Sequence, residues 1–334
     1  MKNIAINGFG RIGRNFLRSI LYDQQAHKKL NVAVINTGPM SPEAATHLFH
    51  YDTILGTYPG NVTYTNNNLI IDKIAIPLIS YLNPLECHWQ QYAIDWVVDC
   101  SGQFTQREKA EKHLKSGARK VLISAPAIDE DITIIPGVND IAFNSEKHAI
   151  VSLGSCTSNA FLPILYNLHN EFFIKKGTMT TIHAYTSSQV LLDNQTKNMR
   201  LSRAAALNII PTSSGVTKVI KKVLPMLSEN IDITSVRVPV GNVSLIDFTF
   251  IAEKKLSIEG IHAIFTDISQ EKKSSIIGIT FSPLVSTDFF GDPRSVVIDG
   301  LLTKTNGNVA QLFGWYDNEW GYSTRLKDFL LEGP

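Results

Sequence analysis

The stretch NIAINGFGRIGRNFLRSI, residues 3–20, decides the fold of this chain. It begins as a short apolar strand and ends in a helical pattern of apolar side chains. Between the two stands a G-x-G-x-x-G motif, formed by Gly8, Phe9, Gly10, Arg11, Ile12 and Gly13. Glycines at these places permit a tight turn and the close approach of a pyrophosphate to a helix N-terminus. The order of strand, motif and helix therefore predicts a dinucleotide-binding fold.

Strands and helices continue to alternate as far as about residue 152. Strands are predicted at residues 31–36, 94–100, 120–124 and 149–151, helices at 42–51 and 106–116, and a hairpin with strands at 62–64 and 69–71. Such alternation is typical of an α/β fold with a Rossmann-type doubly wound parallel sheet. Ser101 and Gly102 follow one of these strands, at the sheet edge where ligands bind.

The end of the second predicted strand lacks a carboxylate. In dinucleotide-binding folds an acidic residue there commonly binds the adenosine ribose hydroxyls. This chain instead has Thr37-Gly38-Pro39. Two alternatives stay open. Either the Thr37 hydroxyl and the Gly38 backbone face a 2'-phosphate, or backbone and neighbouring groups hold the ribose.

Cys156 is the candidate nucleophile. It lies between the predicted strand at residues 149–151 and an apolar helical stretch from residue 160, so it should occupy a helix N-terminus. Unpaired N–H groups and the helix macrodipole favour a thiolate at that place. His183, which ends a predicted strand, is the candidate base. The alternative for Cys156 is a small buried side chain packed at a strand end.

Composition places the chain among soluble globular proteins. Its 334 residues predict two domains, and 44% hydrophobic with 18% charged residues is an ordinary balance. A formal net charge of +1 does not indicate binding to nucleic acid or to an anionic membrane. The three cysteines have neither the even count of a disulfide framework nor metal-site spacing. We therefore predict a cytoplasmic protein without a metal site.

The character of the strands changes in the second half. From about residue 177 they are longer and alternate more strictly, as at residues 243–250. This pattern predicts a mixed sheet packed on one side by helices. We therefore predict a dinucleotide-binding domain over residues 1–155 and an α+β catalytic domain over residues 156–318.

Several stretches, taken in order, point to one family. They are NGFGRIGR at residues 7–14, SCTSN at 155–159, HAYT at 183–186, RAAA at 203–206, NIIP at 208–211, RVP at 237–239 and WYDNEWGY at 315–322. Together they resemble phosphorylating glyceraldehyde-3-phosphate dehydrogenase over essentially the whole chain. One motif could agree by chance, but agreement of all of them in the same order is highly specific.

The resemblance implies an oxidoreductase of glycolysis or gluconeogenesis that converts glyceraldehyde 3-phosphate to 1,3-bisphosphoglycerate. In it Cys156 attacks the aldehyde, His183 activates the thiol, and inorganic phosphate cleaves the cysteine thioester. The implied phosphate-binding residues form two sites: Thr186, Ser188 and Arg237 for the substrate phosphate, and Ser155, Thr157, Ser214 and Gly215 for inorganic phosphate. The alternative for Arg237 is a salt bridge at a strand edge, and for the hydroxyl residues it is ordinary turn chemistry.

The resemblance also implies how a nicotinamide coenzyme binds. The implied contacts are Gly10, Arg11, Ile12 and Gly13 for the pyrophosphate, Ser101 on the adenine side, and Ser124, Asn318 and Tyr322 at the nicotinamide end. The last helix, within residues 319–334, is then expected to return to the dinucleotide-binding domain. Because Thr37 replaces the acidic residue of NAD-dependent members, we predict use of both NAD and NADP.

The chain departs from the family pattern at Ser158, Ser188 and Ser214, where threonine is frequent. Each keeps the hydroxyl and loses a methyl group. Two alternative functions share the coenzyme-binding fold: that of a sister dehydrogenase acting on erythrose 4-phosphate, and that of a coenzyme-binding protein with a non-catalytic role. The hydroxyls of residues 183–189 and the presence of both Cys156 and His183 disfavour them. The resemblance further implies a homotetramer in which residues 191–206 lie near a neighbour's coenzyme.

Overall fold

The computed structural model describes residues 1–270 and 275–332, so residues 333–334 of the predicted C-terminal segment lie outside the described residues. The chain folds into two compact units. The first contains Met1–Ile134, Asp140–Gly154 and the residues from Ser323 onward, and the second contains Ile135–Asn139 and Ser155–Tyr322. Ile135 belongs to the second unit because it is fully buried in that unit's hydrophobic cluster. The roles predicted for the two domains stay predictions.

The first unit is built on a sheet whose strands lie in the order β3-β4-β5-β2-β1-β6-β7-β9-β8. These strands are β1 (Lys2–Asn7), β2 (Leu30–Asn36), β3 (Val62–Thr65), β4 (Asn68–Ile71), β5 (Ile74–Ile79), β6 (Trp96–Asp99), β7 (Lys120–Ile123), β8 (Ile132–Thr133) and β9 (Ile150–Ser152). All neighbouring strands from β5 to β8 in this order pair in parallel, whereas β3, β4 and β5 form an antiparallel meander. The predicted doubly wound sheet and the hairpin are confirmed.

The first strand occupies the centre of this sheet, between β2 and β6. Its residues Ile4, Ala5 and Ile6 are fully buried, as expected for a parallel strand covered on both faces. The chain runs from β1 to β2 on one side and later to β6 on the other. The carboxyl ends of these strands therefore form a topological switch point, where ligands bind in open α/β sheets.

Among the described residues, four α-helices lie wholly within the first unit. They are α1 (Arg11–Leu21), α2 (Gln24–Lys29), α3 (Pro42–His50) and α4 (Arg107–Lys115). Capping side chains determine where two of these helices begin. For example, the Asp23 side chain accepts from two N–H groups of α2, and Ser41 caps α3 in front of Pro42.

The second unit is built on a mixed sheet with the order β11-β12-β10-β13-β16-β15-β14. Its strands are β10 (Ile174–Ala184), β11 (Ile210–Thr212), β12 (Ile231–Val238), β13 (Ser244–Ala252), β14 (Ile277–Thr280), β15 (Val296–Asn306) and β16 (Val309–Tyr316). The helices of this unit are α5 (Cys156–Phe172), α6 (Val216–Val223) and α7 (Ile258–Gln270). The pairs β10–β12 and β14–β15 are parallel, and the others are antiparallel.

One face of the mixed sheet packs against these three helices. Along β13 the residues Ile246, Phe248 and Phe250 alternate into a cluster that also contains Phe161 of α5 and Phe265 of α7. The predicted one-sided packing of helices on a mixed sheet is therefore confirmed, because the intervening β13 residues are more exposed.

The last helix, α8 (Trp320–Glu332), begins in the second unit, and its residues from Ser323 onward belong to the first. Lys327 Nζ bonds Asp23 at 2.6 Å, and Lys2 Nζ donates to the Leu330 carbonyl at 2.7 Å. These contacts hold the end of the chain against the beginning of the first unit. Within residues 1–270 and 275–332 no helix combines the length and the apolar character that crossing a bilayer requires.

Candidate active site

Helix α5 begins at Cys156, which occupies its first position. Ser155 is the N-cap, and its Oγ accepts from the Ser158 N–H at 3.2 Å. In return the Ser158 Oγ accepts from the Ser155 N–H at 2.7 Å, which completes a capping box. Ser158 therefore retains the chemistry expected of its hydroxyl. The sequence thus fixes where the helix starts and, with it, the position of the thiol.

The His183 imidazole lies beside the Cys156 thiol, with Nε2 at 3.5 Å from Sγ. His183 is only 3% exposed and stands next to the last residue of β10, as the sequence predicts. Cys156 keeps partial exposure to solvent. The structure therefore brings the candidate nucleophile and the candidate base within hydrogen-bonding distance, which is the geometry that nucleophilic catalysis requires.

The protonation states of this pair differ from the expectation of a preformed thiolate. Burial raises the pKa of Cys156 above its usual value, although the Arg237 charge and hydrogen bonds from Thr157 oppose this rise. Burial and the Arg237 charge together lower the pKa of His183 to about 3. Both shifts favour the neutral forms of the thiol and the imidazole. The influence of the helix N-terminus is outweighed by burial.

The other two cysteines, Cys87 and Cys100, belong to the first unit, whereas Cys156 and His183 belong to the second. Burial raises the pKa of Cys87 to about 12, and it raises that of Cys100 as well. Cys87 belongs to a hydrophobic cluster of the first unit. Their environment therefore favours the neutral thiol.

Arg237 reaches the far side of the His183 ring. The two residues are Cα partners in the parallel pair of β10 and β12. Arg237 Nη1 lies 2.6 Å from His183 Nδ1 and 2.8 Å from the Ala184 carbonyl oxygen, and His183 Nδ1 itself lies 2.6 Å from that oxygen. The alternative of a salt bridge at a strand edge does not apply, because these partners are an imidazole and a carbonyl.

Tyr316 is a site residue to which the sequence assigned no role. Its hydroxyl lies 3.0 Å from Thr157 Oγ1 and 2.8 Å from Thr181 Oγ1, and its ring meets the His183 ring edge-on. Burial raises the pKa of Tyr316, so the hydroxyl is neutral. Tyr316 therefore orients the Thr157 hydroxyl through this hydrogen bond. The only signal in the sequence is its position within the stretch at residues 315–322.

The remaining residues predicted to bind phosphate lie at turns and helix ends of the second unit. Thr186 Oγ1 and Ser188 Oγ are 2.9 Å apart on the exposed segment after β10. Gly215 is the N-cap of α6, and the Ser214 Oγ accepts from the Val216 N–H at 3.3 Å. Ser155 and Thr157 thus stand at the N-terminus of α5, and Ser214 and Gly215 at that of α6. Helix N-termini of this kind attract anions.

Asn318 and Tyr322 also belong to the second unit, and both are buried. The Ser244 hydroxyl accepts from the Ala184 N–H at 3.1 Å and donates to Asn318 Oδ1 at 2.9 Å. This arrangement engages the amide oxygen of Asn318 and leaves its NH₂ group as the donor for a ligand.

In the first unit the glycine motif shows which of its members must be glycine. A Cβ on Gly13 would lie 2.2 Å from the Gly8 carbonyl oxygen, and one on Gly8 would lie 2.7 Å from the Ser101 N. Gly8 also has φ +94°. By contrast, a Cβ on Gly10 would meet open space. Helix α1 begins directly after Gly10 without a side-chain cap, so this open side adjoins the N-terminus of a helix.

Comparison with known proteins agrees with both units. A model of the glyceraldehyde 3-phosphate dehydrogenase NAD binding domain matches residues 2–107, and a model of the C-terminal domain of the same family matches residues 155–318. Glyceraldehyde-3-phosphate dehydrogenase 2 of Streptomyces avermitilis is 43% identical over 329 residues, which are 98% of this chain and 97% of the relative. The chain belongs to the glyceraldehyde-3-phosphate dehydrogenase family.

Two further relatives bear the family name and show similar coverage. Glyceraldehyde-3-phosphate dehydrogenase of Pseudomonas aeruginosa is 42% identical over 331 residues, with 98% of this chain and 97% of the relative covered. Glyceraldehyde-3-phosphate dehydrogenase 2 of Bacillus subtilis is 40% identical over 328 residues, with 98% and 95% covered. The resemblance inferred from the sequence is thereby confirmed.

For a member of the glyceraldehyde-3-phosphate dehydrogenase family, a dinucleotide must fit the first unit. A cavity of about 210 Å³ lies at the carboxyl ends of its central strands, and the residues lining it include Gly8, Gly10, Thr37, Ser101 and Phe104. The open side of Gly10 and the uncapped start of α1 suit a pyrophosphate. The residues present therefore fit a nicotinamide dinucleotide.

Several residues assigned to the coenzyme already have internal partners. The Ser101 hydroxyl donates to Asp99 Oδ1 at 2.6 Å, and the Ser124 hydroxyl donates to the Asp99 carbonyl at 2.8 Å. Arg11 forms an ion pair with Asp52. Ser101 and Ser124 therefore shape the edge of the sheet, and a ligand could only use their remaining lone pairs.

The structure disfavours the alternative in which the Thr37 hydroxyl faces a 2'-phosphate. Its hydroxyl donates to the Met40 carbonyl at 2.8 Å, and the residue is 6% exposed. Because a hydroxyl has a single proton, Thr37 is not available to donate to a 2'-phosphate while this bond persists. Its oxygen can still accept from a ribose hydroxyl.

Proposed function

We propose that this protein oxidises glyceraldehyde 3-phosphate to 1,3-bisphosphoglycerate, with NAD or NADP and inorganic phosphate. The observation that carries the proposal is the contact of 3.5 Å between Cys156 Sγ and His183 Nε2, at the start of α5. The test is an assay of coenzyme reduction with phosphate and either glyceraldehyde 3-phosphate or erythrose 4-phosphate. A higher catalytic efficiency with the tetrose would favour the sister dehydrogenase instead.

The chemistry follows from the residues around the thiol. His183 Nε2 accepts the Cys156 proton while Sγ bonds to the aldehyde carbon, and it then returns this proton to the new alkoxide oxygen, so the product is a neutral hemithioacetal. The Cys156 backbone N–H, at the first turn of α5, supports the developing oxyanion. A nicotinamide coenzyme supplies the hydride acceptor for the oxidation when it is bound. His183 takes the hydroxyl proton of the hemithioacetal, so the carbon is left as an acyl thioester of Cys156.

Inorganic phosphate completes the reaction. A phosphate oxygen bonds to the thioester carbonyl carbon, the carbon–sulfur bond breaks, and the Cys156 thiolate leaves with the bonding pair. The product is an acyl phosphate. Ser155 and Thr157 at the start of α5, and Ser214 and Gly215 at the start of α6, are proposed to hold this phosphate. Tyr316 contributes by orienting the Thr157 hydroxyl.

We propose that Arg237, Thr186 and Ser188 bind the phosphate group of the substrate. Arg237 can present a charged, forked donor to phosphate oxygens. Its Nε is buried and finds no hydrogen-bond partner within the described part of the chain, which is costly unless a ligand supplies an acceptor.

Replacing Arg237 with leucine should therefore raise the Michaelis constant for glyceraldehyde 3-phosphate much more than that for unphosphorylated glyceraldehyde. A charge-assisted contact of this kind contributes about 1.5–3 kcal/mol, or roughly 10- to 150-fold. Steady-state kinetics with both aldehydes measures the difference. Equal increases for the two substrates would show that Arg237 supports the fold and not phosphate binding.

For the coenzyme we propose use of both NAD and NADP. A carboxylate at the end of β2 would repel a 2'-phosphate, and Thr37 lacks that charge. A second cavity of about 440 Å³ shares Thr37, Met40 and Tyr81 with the first, and Asn66, Asn67 and Ser80 are among its other lining residues. The lining of this second cavity is mixed, and the space between its polar residues and Thr37 offers room for the additional phosphate.

We expect NADP to be used with a catalytic efficiency within about tenfold of NAD, which is a difference in activation free energy under roughly 1.4 kcal/mol. Thr37→Asp should lower the efficiency with NADP selectively, because the carboxylate repels the 2'-phosphate. Thr37→Asn is the matched control without charge. If the parent protein already rejects NADP by several orders of magnitude, a group other than residue 37 excludes it.

We also propose a cytoplasmic homotetramer. Leu191, Leu192 and Met199 are 82%, 74% and 81% exposed in the segment predicted to lie near a neighbouring subunit. Large apolar side chains exposed together mark interaction surfaces. Sedimentation analysis of the purified protein measures the assembly directly.

A further inference from the structure

His113 is a fully buried histidine of α4, in the first unit. Its Nδ1 lies 3.1 Å from Nε1 of Trp89, and an indole nitrogen can only donate a hydrogen bond. Nδ1 therefore accepts from Trp89 and carries no proton. Burial lowers the pKa of His113 to about 4, which favours the neutral imidazole. The single ring proton then resides on Nε2.

This Nε2–H group is buried and has no hydrogen-bond acceptor among residues 1–270 and 275–332. Asp99 Oδ2, at the end of β6, is likewise buried and has no donor among those residues. Unsatisfied buried polar groups are costly, and these two are complementary, because one donates and the other accepts. The charge of Asp99 also opposes the fall in the pKa of His113, so the two groups interact electrostatically. One internal water can join such a pair.

The other oxygen of Asp99 orders part of the lining of the coenzyme cavity. Oδ1 accepts from Asn7 Nδ2 at 3.1 Å, from the Ser101 N–H at 3.0 Å and from the Ser101 hydroxyl at 2.6 Å. Asn7 Oδ1 in turn accepts from Asn36 Nδ2 at 2.7 Å. Asn7, Asn36 and Ser101 all line the cavity at the carboxyl ends of the central strands. The orientation of the Asp99 carboxylate therefore influences three residues of this lining.

The His113 ring also contacts a fourth residue of the lining, Phe104. The two rings meet edge-on, with their centroids 5.2 Å apart. Edge-to-face contacts of this kind favour one relative orientation of the rings. His113 thus lies next to the cavity without lining it, and it touches Phe104 through its ring while its Nε2–H group lacks only the acceptor that Asp99 offers.

We propose that His113 is a positioning residue for the nicotinamide coenzyme. Through an internal water, its Nε2–H holds the Asp99 carboxylate in the orientation that orders the cavity lining, and its ring holds Phe104. The proposal rests on the assignment of the coenzyme to this cavity. In this role His113 does not touch the ligand. It strengthens binding because the lining is ordered in advance and less conformational freedom is lost when the coenzyme enters.

The test uses two replacements of His113. His113→Phe keeps a ring beside Phe104 and removes both nitrogens, whereas His113→Gln keeps an N–H donor at the end of the side chain. The dissociation constant for NAD, measured by calorimetry, should rise about three- to tenfold in His113→Phe and should stay closer to that of the parent in His113→Gln. The kcat at saturating NAD should be unchanged in both. A fall in kcat as large as the loss of affinity would contradict a role confined to coenzyme binding.

His262→Phe is the matched control. His262 in α7 also has a buried Nε2 that finds no hydrogen-bond partner in the described ranges, and its ring meets Phe281 edge-on at 5.0 Å. It belongs to the second unit, however. His262→Phe should therefore leave the dissociation constant for NAD unchanged. An increase as large as that in His113→Phe would show that the effect is not specific to His113, and the proposal would fall.

A double-mutant cycle tests the connection to Asp99. Asp99→Asn and His113→Phe should each weaken NAD binding, and the double variant should bind no more weakly than the weaker single variant, because both changes break the same connection. Additive losses would mean that the two residues act independently, against the proposal. ¹⁵N NMR of the parent, labelled at histidine, provides a readout that needs no stable variant at position 113 other than one for assignment. A protonated Nδ1 on His113 would overturn the proposal.

Calorimetry of the parent separates this proposal from the assignment on which it rests. If the parent does not bind NAD, the coenzyme assignment fails, and the role of His113 fails with it. If the parent binds NAD and both His113 variants bind it equally well, the coenzyme assignment stands and the role of His113 is wrong.

Discussion

Cys156→Ala should reduce aldehyde oxidation by about 10⁴-fold or more, because the covalent route through the thioester disappears with the sulfur. The side chain stands at the first position of α5, whose capping box is formed by Ser155 and Ser158, so the helix should remain intact. Coenzyme reduction is measured with glyceraldehyde 3-phosphate and phosphate.

Two controls accompany this prediction. Coenzyme binding, followed by fluorescence titration, should be unchanged, because the glycine motif belongs to the other unit. Cys87→Ala removes a thiol from a hydrophobic cluster of the first unit and should leave the rate per folded molecule unchanged. Activity near that of the parent in Cys156→Ala would mean that another group is the nucleophile.

His183→Asn should slow the oxidation by about 10²- to 10⁴-fold, the usual contribution of a general base. Alkylation of Cys156 by iodoacetamide at neutral pH should also slow, because a neutral imidazole 3.5 Å from the sulfur no longer assists loss of the proton. The exposed His27 in α2 provides the control variant His27→Asn. An unchanged alkylation rate would show that a different group activates the thiol.

The low pKa of His183 adds a second readout for the same variant. The folded value of about 3 lies below the ordinary value of 6.5, so the folded state binds fewer protons than the unfolded state between these limits. His183 therefore does not lower the unfolding free energy above pH 6.5, but it lowers the unfolding free energy progressively as the pH falls from 6.5 towards 3. His183→Asn should therefore show a shallower loss of unfolding free energy over this range than the parent.

The sequence predicts best what depends on neighbours along the chain. The order of strand, glycine motif and helix at residues 3–20 is a local property, and the placement of Cys156 at the start of α5 follows from the N-cap Ser155. The alternation in β13 likewise shows which face of the mixed sheet is buried. These features need no knowledge of contacts that are distant in sequence.

What the sequence could not predict depends on distant contacts. The helix N-terminus at Cys156 suggests a thiolate, but Cys156 packs against the hydrophobic cluster of the second unit, and burial raises the pKa of its thiol. The proton of Thr37 is committed to Met40 by a turn geometry that no motif specifies. The contact of Arg237 with His183 arises from strands whose pairing spans 54 residues. Ile135–Asn139 joins the second unit because its apolar side chains pack there.

The parallel register of β10 and β12, which sets His183 opposite Arg237, also governs how this protein can change over evolutionary time. Side chains alternate between the faces of a strand, so a one-residue insertion within either strand would turn one member of the pair to the wrong face. The loops between the strands can lengthen or shorten without disturbing the pair. The two strands must therefore be inherited as one block, and transplanting this function into another scaffold would require moving the paired strands together rather than grafting two side chains.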